Sequence, residues 1–328
     1  MTAPVLVTGA TGLIGRYVVE QLLAADRPVR VLARAPERLA PGFIGRVRVL
    51  RDDLAQAPLP LRAFDGVDAV LHLAACTRAW SRDHGEFTAV NVRAVERLLD
   101  AAARAGVRRV VHASTVLTLP AFRPARGDSS RTATPYEETK LLGERLVDAY
   151  AASGGDAVIV HPTRAYGPGP LNDANGVTRL VALYLDSPVV FRLDDGDVQA
   201  NYVHAADVAH GILRAADHGR RGAHYVLGGE NRSLRGLLEL VAALSGVRRR
   251  VVTLPRTAAL AAAHAALVWG RLGGTPFITP DWVRTYFEDQ RVDVRASCHE
   301  LGYRYRPLDR GLQETIAWLR HRRLPAVS

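Results

Sequence analysis

The feature that most constrains this chain is an alternation of short, uninterrupted β-branched runs with helical segments. The runs lie at 5–8, 29–33, 47–51, 69–73, 107–113 and 157–161, and helical patterns occupy 12–25, 85–105 and 135–152. A strand with one solvated face alternates polar and apolar residues. Most of these runs do not, so both of their faces are covered. Apolar strands joined by helices predict a doubly wound parallel α/β sheet of the Rossmann type. After Pro162 the pattern changes. YGPGP at 166–170 is a turn-rich break, followed mostly by helix with short strands at 189–191, 224–227 and 251–253. A chain of 328 residues suits two lobes. Residues 1–169, with 201–230 returning to them, form the expected first domain, and 170–200 with 231–328 form a smaller, mostly helical substrate lobe.

The first run leads into TGATGLIG, which sets Gly9, Gly12 and Gly15 at a GxxGxxG spacing between a strand and a helix. Glycines there allow the tight turn, the approach of a pyrophosphate to the backbone, and close helix–strand packing. The helix N-terminus then faces the anion. Thr11, Leu13 and Ile14 complete the loop. At the end of the second run an NAD site carries an acid for the ribose hydroxyls. Here the strand reads VRVLAR, with Ala33, Arg34 and, one turn on, Arg38. Guanidinium groups suit a 2′-phosphate, so NADP (NADPH) is favoured over NAD, although Glu37 stands close enough to serve as the ribose acid.

Tyr136 and Lys140 form YxxxK, and Thr134, Pro135 and Glu137 read as a capped helix start. Residues four apart share a helix face. A cation about 5 Å from a phenol favours phenolate by about 3 kcal/mol at an effective dielectric near 20, so Lys140 is expected to lower the tyrosine's pKa. Lys140 is the only lysine among 43 basic residues. A composition that has replaced every other lysine with arginine has kept this one, where a compact, tunable ammonium is needed. Ser114 and Thr115 end the strand VVHAST at the carboxyl edge of the sheet, and either hydroxyl can meet a substrate oxygen there.

The same skew towards arginine discounts the net charge of +10 as a sign of nucleic-acid binding, and the clusters at 248–250 and 320–323 read as solvated faces. No apolar run is long enough for a membrane span. Cys76 and Cys298 form no framework and suit a reducing cytoplasm, and the N-terminus lacks secretory-signal character. No metal-ligand spacing occurs.

Together the motifs resemble the extended short-chain dehydrogenase/reductase family, within the NAD-dependent epimerase/dehydratase superfamily. The residues that carry the likeness are TGATGLIG, Asp53-Leu54, HLAA at 72–75, Asn91-Val92, the Ser-Thr pair, YxxxK, HPTRAYGPG at 161–169, YVHAADVAHG at 202–211, YVLGGEN at 225–231 and the 295–303 stretch. The chain is most like the dihydroflavonol reductase-like and 3β-hydroxysteroid dehydrogenase-like group, and also resembles hopanoid-associated sugar epimerases. The resemblance implies that Asp53 and Leu54 contact the adenine, and that Leu73, Ala74, Ala75, Pro162 and Ala165 line the nicotinamide side. It further implies cofactor contacts from Asn91 and Ser114, a ribose contact from Lys140, and Thr115 as the catalytic hydroxyl ahead of Ser114. Thr77, Arg78, Trp80, Tyr166, Asn172 and Tyr202 are the expected substrate-lining residues. Sugar-nucleotide members carry an arginine where this chain reads Ala200-Asn201-Tyr202, and the late RxGD-type segment is missing. The expected function is therefore NADPH-dependent reduction of a small ketone or aldehyde, with a carbonyl or alcohol as the partner molecule. A sugar epimerase or dehydratase with tightly bound NAD(P) is the alternative, and a non-catalytic NADP-binding protein a minor one. A homodimer is among the assemblies such a chain can form.

Overall fold

The computed structural model describes residues 3–56, 58–78, 80–122, 133–193, 198–272, 274, 276 and 278–322. Its strands, in chain order, are β1 (Val5–Thr8), β2 (Val29–Ala33), β3 (Arg48–Arg51), β4 (Ala69–His72), β5 (Arg109–Ala113), β6 (Ala157–Pro162), β7 (Arg164–Tyr166), β8 (Val189–Arg192), β9 (Gln199–His204), β10 (His224–Leu227), β11 (Glu230–Ser233) and β12 (Arg250–Thr253). The helices are α1 (Leu13–Ala24), α2 (Gly85–Thr88), α3 (Ala94–Arg104), α4 (Pro135–Ala152), α5 (Gly176–Asp186), α6 (Ala205–His218), α7 (Leu234–Ser245), α8 (Arg256–Arg271), α9 (Pro280–Arg284), α10 (Arg295–Leu301) and α11 (Leu308–His321).

Seven strands form one sheet in the order β10-β6-β5-β4-β1-β2-β3. Every pairing in it is parallel. The predicted doubly wound sheet is thus present. α1 and α6 cover one face through Val18, Val19, Leu22, Val208 and Ile212. α3 and α4 cover the other through Val95, Leu98, Ala102, Val147 and Ala151. Each fully buried side chain of this size contributes about 1.5–3 kcal/mol, which is why the sheet can be apolar on both faces. Strand order reverses between β1 and β4, and this opens a crevice beyond their carboxyl ends. A second core, including Val181, Leu237, Val241, Leu312 and Ile316, holds α5, α7 and α11 together. Among the described residues no helix is long and apolar enough to cross a membrane.

Three local departures from the sequence expectation have physical causes. The helix expected over 85–105 is interrupted by a π-helical segment, Ala89–Arg93. There the backbone oxygen of Asn91 lies so close to Gly143 of α4 that a Cβ on that glycine would stand 2.5 Å from it. Residues 164–166 pair as β7 before the turn begins. Residues 199–204 join β7 and β11 in a separate three-stranded sheet, so the return to the main sheet is made by α6 and β10. β9 reads QANYVH; its buried Asn201 accepts from the Gly229 N–H at 2.8 Å and donates to the Gly229 carbonyl at 2.9 Å, tying it to the loop before β11.

Many arginines also have work beyond solvation. Arg109 donates to the carbonyls of Ala215 (3.0 Å) and Gly219 (2.8 Å) at the end of α6. Arg249 donates to Leu185 O at 2.6 Å at the end of α5, Arg214 to Leu301 O at 2.6 Å at the end of α10, and Arg82 to Gly270 O at 3.1 Å near the end of α8. Arg320 bonds Ser245 O at the end of α7. A helix leaves its last carbonyls unsatisfied and carries partial negative charge there, so a forked cation is a suitable cap. Arg249 and Arg320 had read as solvated charge and are instead helix caps.

Candidate active site

The crevice is built first by the glycine loop. Gly9 has φ +76, and a Cβ on it would stand 2.7 Å from Leu73 C and Ala74 N. A Cβ on Gly15 would stand 2.2 Å from Gly9 O. Gly12 donates to Gly9 O at 2.9 Å and caps α1 with no side chain, and the first turn of α1 holds no acid. The free N–H groups of that turn therefore face a groove where side chains cannot fit and an anion can. This cradle fits the pyrophosphate of a dinucleotide. Thr8 Oγ1 fixes the opposite wall by accepting from Leu73 N (3.2 Å) and Ala74 N (3.3 Å).

Leu13 is buried, and Thr11, Ile14, Ala75 and Ala165 are half-buried. Pro162 closes β6. Asp53 accepts from Ala55 N at 3.0 Å, and Leu54 is buried with its carbonyl held by Arg97 at 2.6 Å. Arg34 and Arg38 are exposed just beyond β2. Glu37, the competing ribose acid, pairs with Arg51 at 2.8 Å. Asn91 departs from expectation. Its Oδ1 accepts from Cys76 N at 2.9 Å, and its Nδ2 donates to Cys76 O and to Thr139 Oγ1, each at 3.1 Å. Both amide hydrogens are spent on protein, so Asn91 shapes the loop after β4 and offers no hydrogen to a ligand.

α4 starts where the sequence places it. Thr134 Oγ1 accepts from Glu137 N at 3.2 Å and Glu137 Oε2 accepts from Thr134 N at 3.1 Å, a complete capping box. This fixes Tyr136 at the helix mouth, where its phenol is hydrogen-bonded to Thr115. Ser114, the competing hydroxyl, is instead bonded to Glu144. Lys140, only 1% exposed, donates to Ala113 O at 2.8 Å and to His112 Nε2 at 3.2 Å. Burial lowers its pKa to about 8, with Glu144 opposing the shift. Tyr136 is pushed up to about 12 by burial, against the bond from Thr115. This corrects the expectation that Lys140 would lower the tyrosine's pKa. Desolvation of the phenolate dominates, while the ammonium is turned to Ala113 and His112.

Sequence reasoning missed the polar layer beneath these residues. His112 is completely enclosed, and burial first, then Lys140, holds it well below the usual imidazole range. Its ring lies 5.3 Å from that of His72, whose Nδ1 meets Thr8 Oγ1 at 2.8 Å. Burial pushes His72 down to about 3, so both rings are neutral. Glu144 also accepts from Thr118 Oγ1 at 2.5 Å. The signals were available: histidines inside β-branched strands, and an acid four residues after Lys140.

The expected substrate residues divide. Thr77 is exposed, and Arg78 is exposed but paired with Glu86 at 2.9 Å. Trp80 is half-buried beside Gly270 of α8. Asn172 accepts from Ala174 N at 3.1 Å and caps a short turn. Tyr166 and Tyr202, at 1% and 3% exposure, pack into the second core. The Tyr166 hydroxyl is occupied by Leu308 O at 3.4 Å. Their bulk and strand position bury them, which the turn-rich reading of 166–170 did not anticipate.

Comparison with known proteins bears on this geometry. The model of the NAD dependent epimerase/dehydratase family matches residues 5–228. A 4-hydroxy-2-methyl-3-oxo-4-farnesyl-3,4-dihydroquinoline-1-oxide ketoreductase of Stigmatella aurantiaca is 32% identical over 79% of this chain and 78% of its own. A dTDP-glucose 4,6-dehydratase of Streptomyces griseus is 32% identical over 73% of this chain and 78% of its own. The solved structure of MoeE5 in complex with UDP-glucose and NAD is 28% identical, covers 97% of this chain and 99% of that one, and superposes with a TM-score of 0.75. Relatives of this chain are thus nicotinamide-dependent reductases and dehydratases acting on small molecules. With its parallel seven-stranded sheet, its glycine cradle and a family match spanning most of its length, the chain belongs to the NAD dependent epimerase/dehydratase family of extended short-chain dehydrogenase/reductase enzymes.

Proposed function

We propose that the protein is an NADPH-dependent reductase of a small ketone or aldehyde. The observation that carries this reading is a buried Lys140, held by Ala113 O, one helical turn from a Tyr136 whose phenol meets Thr115. The residues that would hold the dinucleotide are Gly9, Gly12 and Gly15 at the pyrophosphate, Asp53 and Leu54 at the adenine, and Arg34 and Arg38 at the 2′-phosphate. When bound, the cofactor supplies the hydride. Thr115 and Tyr136 together grip the carbonyl oxygen and stabilise the charge that develops on it. Tyr136, held neutral, gives its proton to that oxygen; an alkoxide binds protons more tightly than a phenolate, so the transfer is downhill. Lys140, its ammonium fixed by Ala113 and His112, orients the ribose.

A free carbonyl compound fits better than a nucleotide sugar. A buried diphosphate needs fixed cationic partners, because an unpaired buried charge costs several kcal/mol. Of the arginines that could supply them, Arg164 donates to Gln290 at 2.8 Å and stacks over Tyr286, Arg179 pairs with Asp173 at 2.9 Å, and Arg271 is exposed at the end of α8. Arg78 is held by Glu86, as above. Apolar surface from Ala258, Ala262 and the partly exposed Trp282 suits a hydrophobic ligand; Phe277, expected to contribute, lies outside the described residues. Calorimetric titration of the NADP-loaded protein with UDP, UDP-glucose and dTDP-glucose tests the choice. We expect no binding in the micromolar range, and micromolar binding of any of them would favour the epimerase or dehydratase reading shared with the dehydratase relative.

A further inference from the structure

A second cluster of chemistry adjoins the backbone oxygen of Thr115 and is used by none of the steps above. His161, fully enclosed at the end of β6, and His224, one-third exposed at the start of β10, face each other across the pairing of those strands. His161 Nδ1 stands 2.9 Å from Thr115 O, and a carbonyl only accepts, so that nitrogen carries a hydrogen. His224 Nε2 stands 2.9 Å from Asp148 Oδ1, and a carboxylate only accepts, so that nitrogen carries one too. In the neutral rings the inner nitrogens, His161 Nε2 and His224 Nδ1, are then both lone pairs, and they point at each other across 3.0 Å. Two lone pairs at that separation repel unless a cation lies between or beside them. Either a proton or a metal ion can fill that role.

We propose that Glu144, His161 and His224 form a binding site for a divalent transition-metal ion of the zinc class. Three observations favour a metal over a shared proton. Glu144 brings a carboxylate, so that one donor atom from each of the three residues lies within 4.8 Å of the others. Two imidazoles and one carboxylate are a donor set that zinc takes, leaving a fourth position for water. Both histidines have the outer hydrogen-bond partners that orient metal-ligating imidazoles, a backbone carbonyl for one and a carboxylate for the other. Lastly, the exposed side of His224 and Asp148 gives the ion a route from solvent. Binding at about 2.0–2.1 Å from each donor asks the inner nitrogens to part from 3.0 Å to about 3.3 Å, and asks the Glu144 carboxylate, 3.7 Å from His161 Nδ1 and bonded to Ser114 and Thr118, to swing towards them. No electrons move: the ion displaces whatever proton the two nitrogens share and releases it to water. Because His161 is bonded to the backbone of Thr115, the site is one hydrogen bond from the catalytic hydroxyl's residue, yet its ligands are distinct from it.

The test uses the full chain freed of metal by chelation, with Zn2+ alone as titrant in a calorimeter and Co2+ as a spectroscopic probe. We expect one Zn2+ per chain at micromolar affinity or tighter, and Co2+ d–d bands of a four- or five-coordinate site. His224→Ala is expected to weaken Zn2+ at least tenfold and to abolish the bands. Asp148→Ala, which leaves the three ligands in place, is expected to weaken Zn2+ about tenfold. His264→Ala, an exposed histidine on α8, should match wild type. Circular dichroism establishes that each variant is folded, and Asp148→Ala serves if His224→Ala is not. Absence of Zn2+ binding, or equal binding by wild type and the folded variants, overturns the proposal and leaves a proton shared by the two rings.

Discussion

Lys140 is the residue on which sequence and structure agree most closely and differ most usefully. Its uniqueness marked it, and the structure buries it against Ala113 O and His112. Lys140→Arg keeps the charge but cannot place a planar fork in that space; turnover is expected to fall at least a hundredfold in a protein that still folds, measured by steady-state kinetics and circular dichroism. The pKa of Lys140 gives a pH dependence with a definite sign. In the folded chain it titrates near 8, below the ordinary 10.5. Carbonyl reduction should therefore decline as pH rises through about 8 and the ammonium is lost. Stability moves the other way: between about pH 8 and 10 the unfolded chain binds the proton that the folded chain has released, so folding is favoured as pH rises. Relative to Lys140→Met, wild type should gain about 2 kcal/mol across that window in denaturant titrations. At the cofactor end, Arg34→Ala should weaken NADPH about tenfold, or about 1.4 kcal/mol, and leave NADH unchanged. Equal affinity of the wild type for the two cofactors would remove the NADP assignment. What the residues alone left open at this scale, although the family resemblance favoured Thr115, was which hydroxyl is free to meet Tyr136 and which way the tyrosine shifts. Both depend on neighbours distant in sequence: Glu144 takes Ser114, and burial outweighs the ammonium.

α4 shows what an element can be made to carry. Tyr136, Lys140, Glu144 and Asp148 stand four apart in one row along the helix, and a single capping box sets the register of them all. Thr134 and Glu137 were readable as that box because its chemistry is local. The π-helical segment Ala89–Arg93 was not readable, since it answers to Gly143 across a helix–helix contact. Strands β7 and β9 were missed for the related reason that they carry polar residues whose partners lie in other elements. The arginine caps follow the same rule. Arg109→Met should cost about 2–3 kcal/mol, because it leaves the Ala215 and Gly219 carbonyls and Asp156 without their donor. A lower denaturant midpoint with an unchanged slope is the expected result.

Across the whole molecule, strand order creates the crevice, and the crevice brings together residues spread over the first half of the chain. The glycine loop follows β1, the wall at Leu73 and Ala74 follows β4, Thr115 follows β5, and Tyr136 opens α4. That much was legible, because parallel strands and short loops leave few ways to connect. The substrate face was not. Tyr166 and Tyr202 turned out to be core, and Arg78 and Arg179 are paired with Glu86 and Asp173. The central claim is that Tyr136, Thr115 and Lys140 reduce a free carbonyl at the expense of NADPH. It is tested most directly by counting moles of NADPH oxidised per mole of alcohol formed across a panel of ketones and aldehydes, with Tyr136→Phe alongside. The account predicts a ratio of about one for at least one carbonyl class, and at least a hundredfold loss of rate in Tyr136→Phe. Conversion of a substrate with no net oxidation of NADPH, or undiminished turnover by Tyr136→Phe, would contradict it.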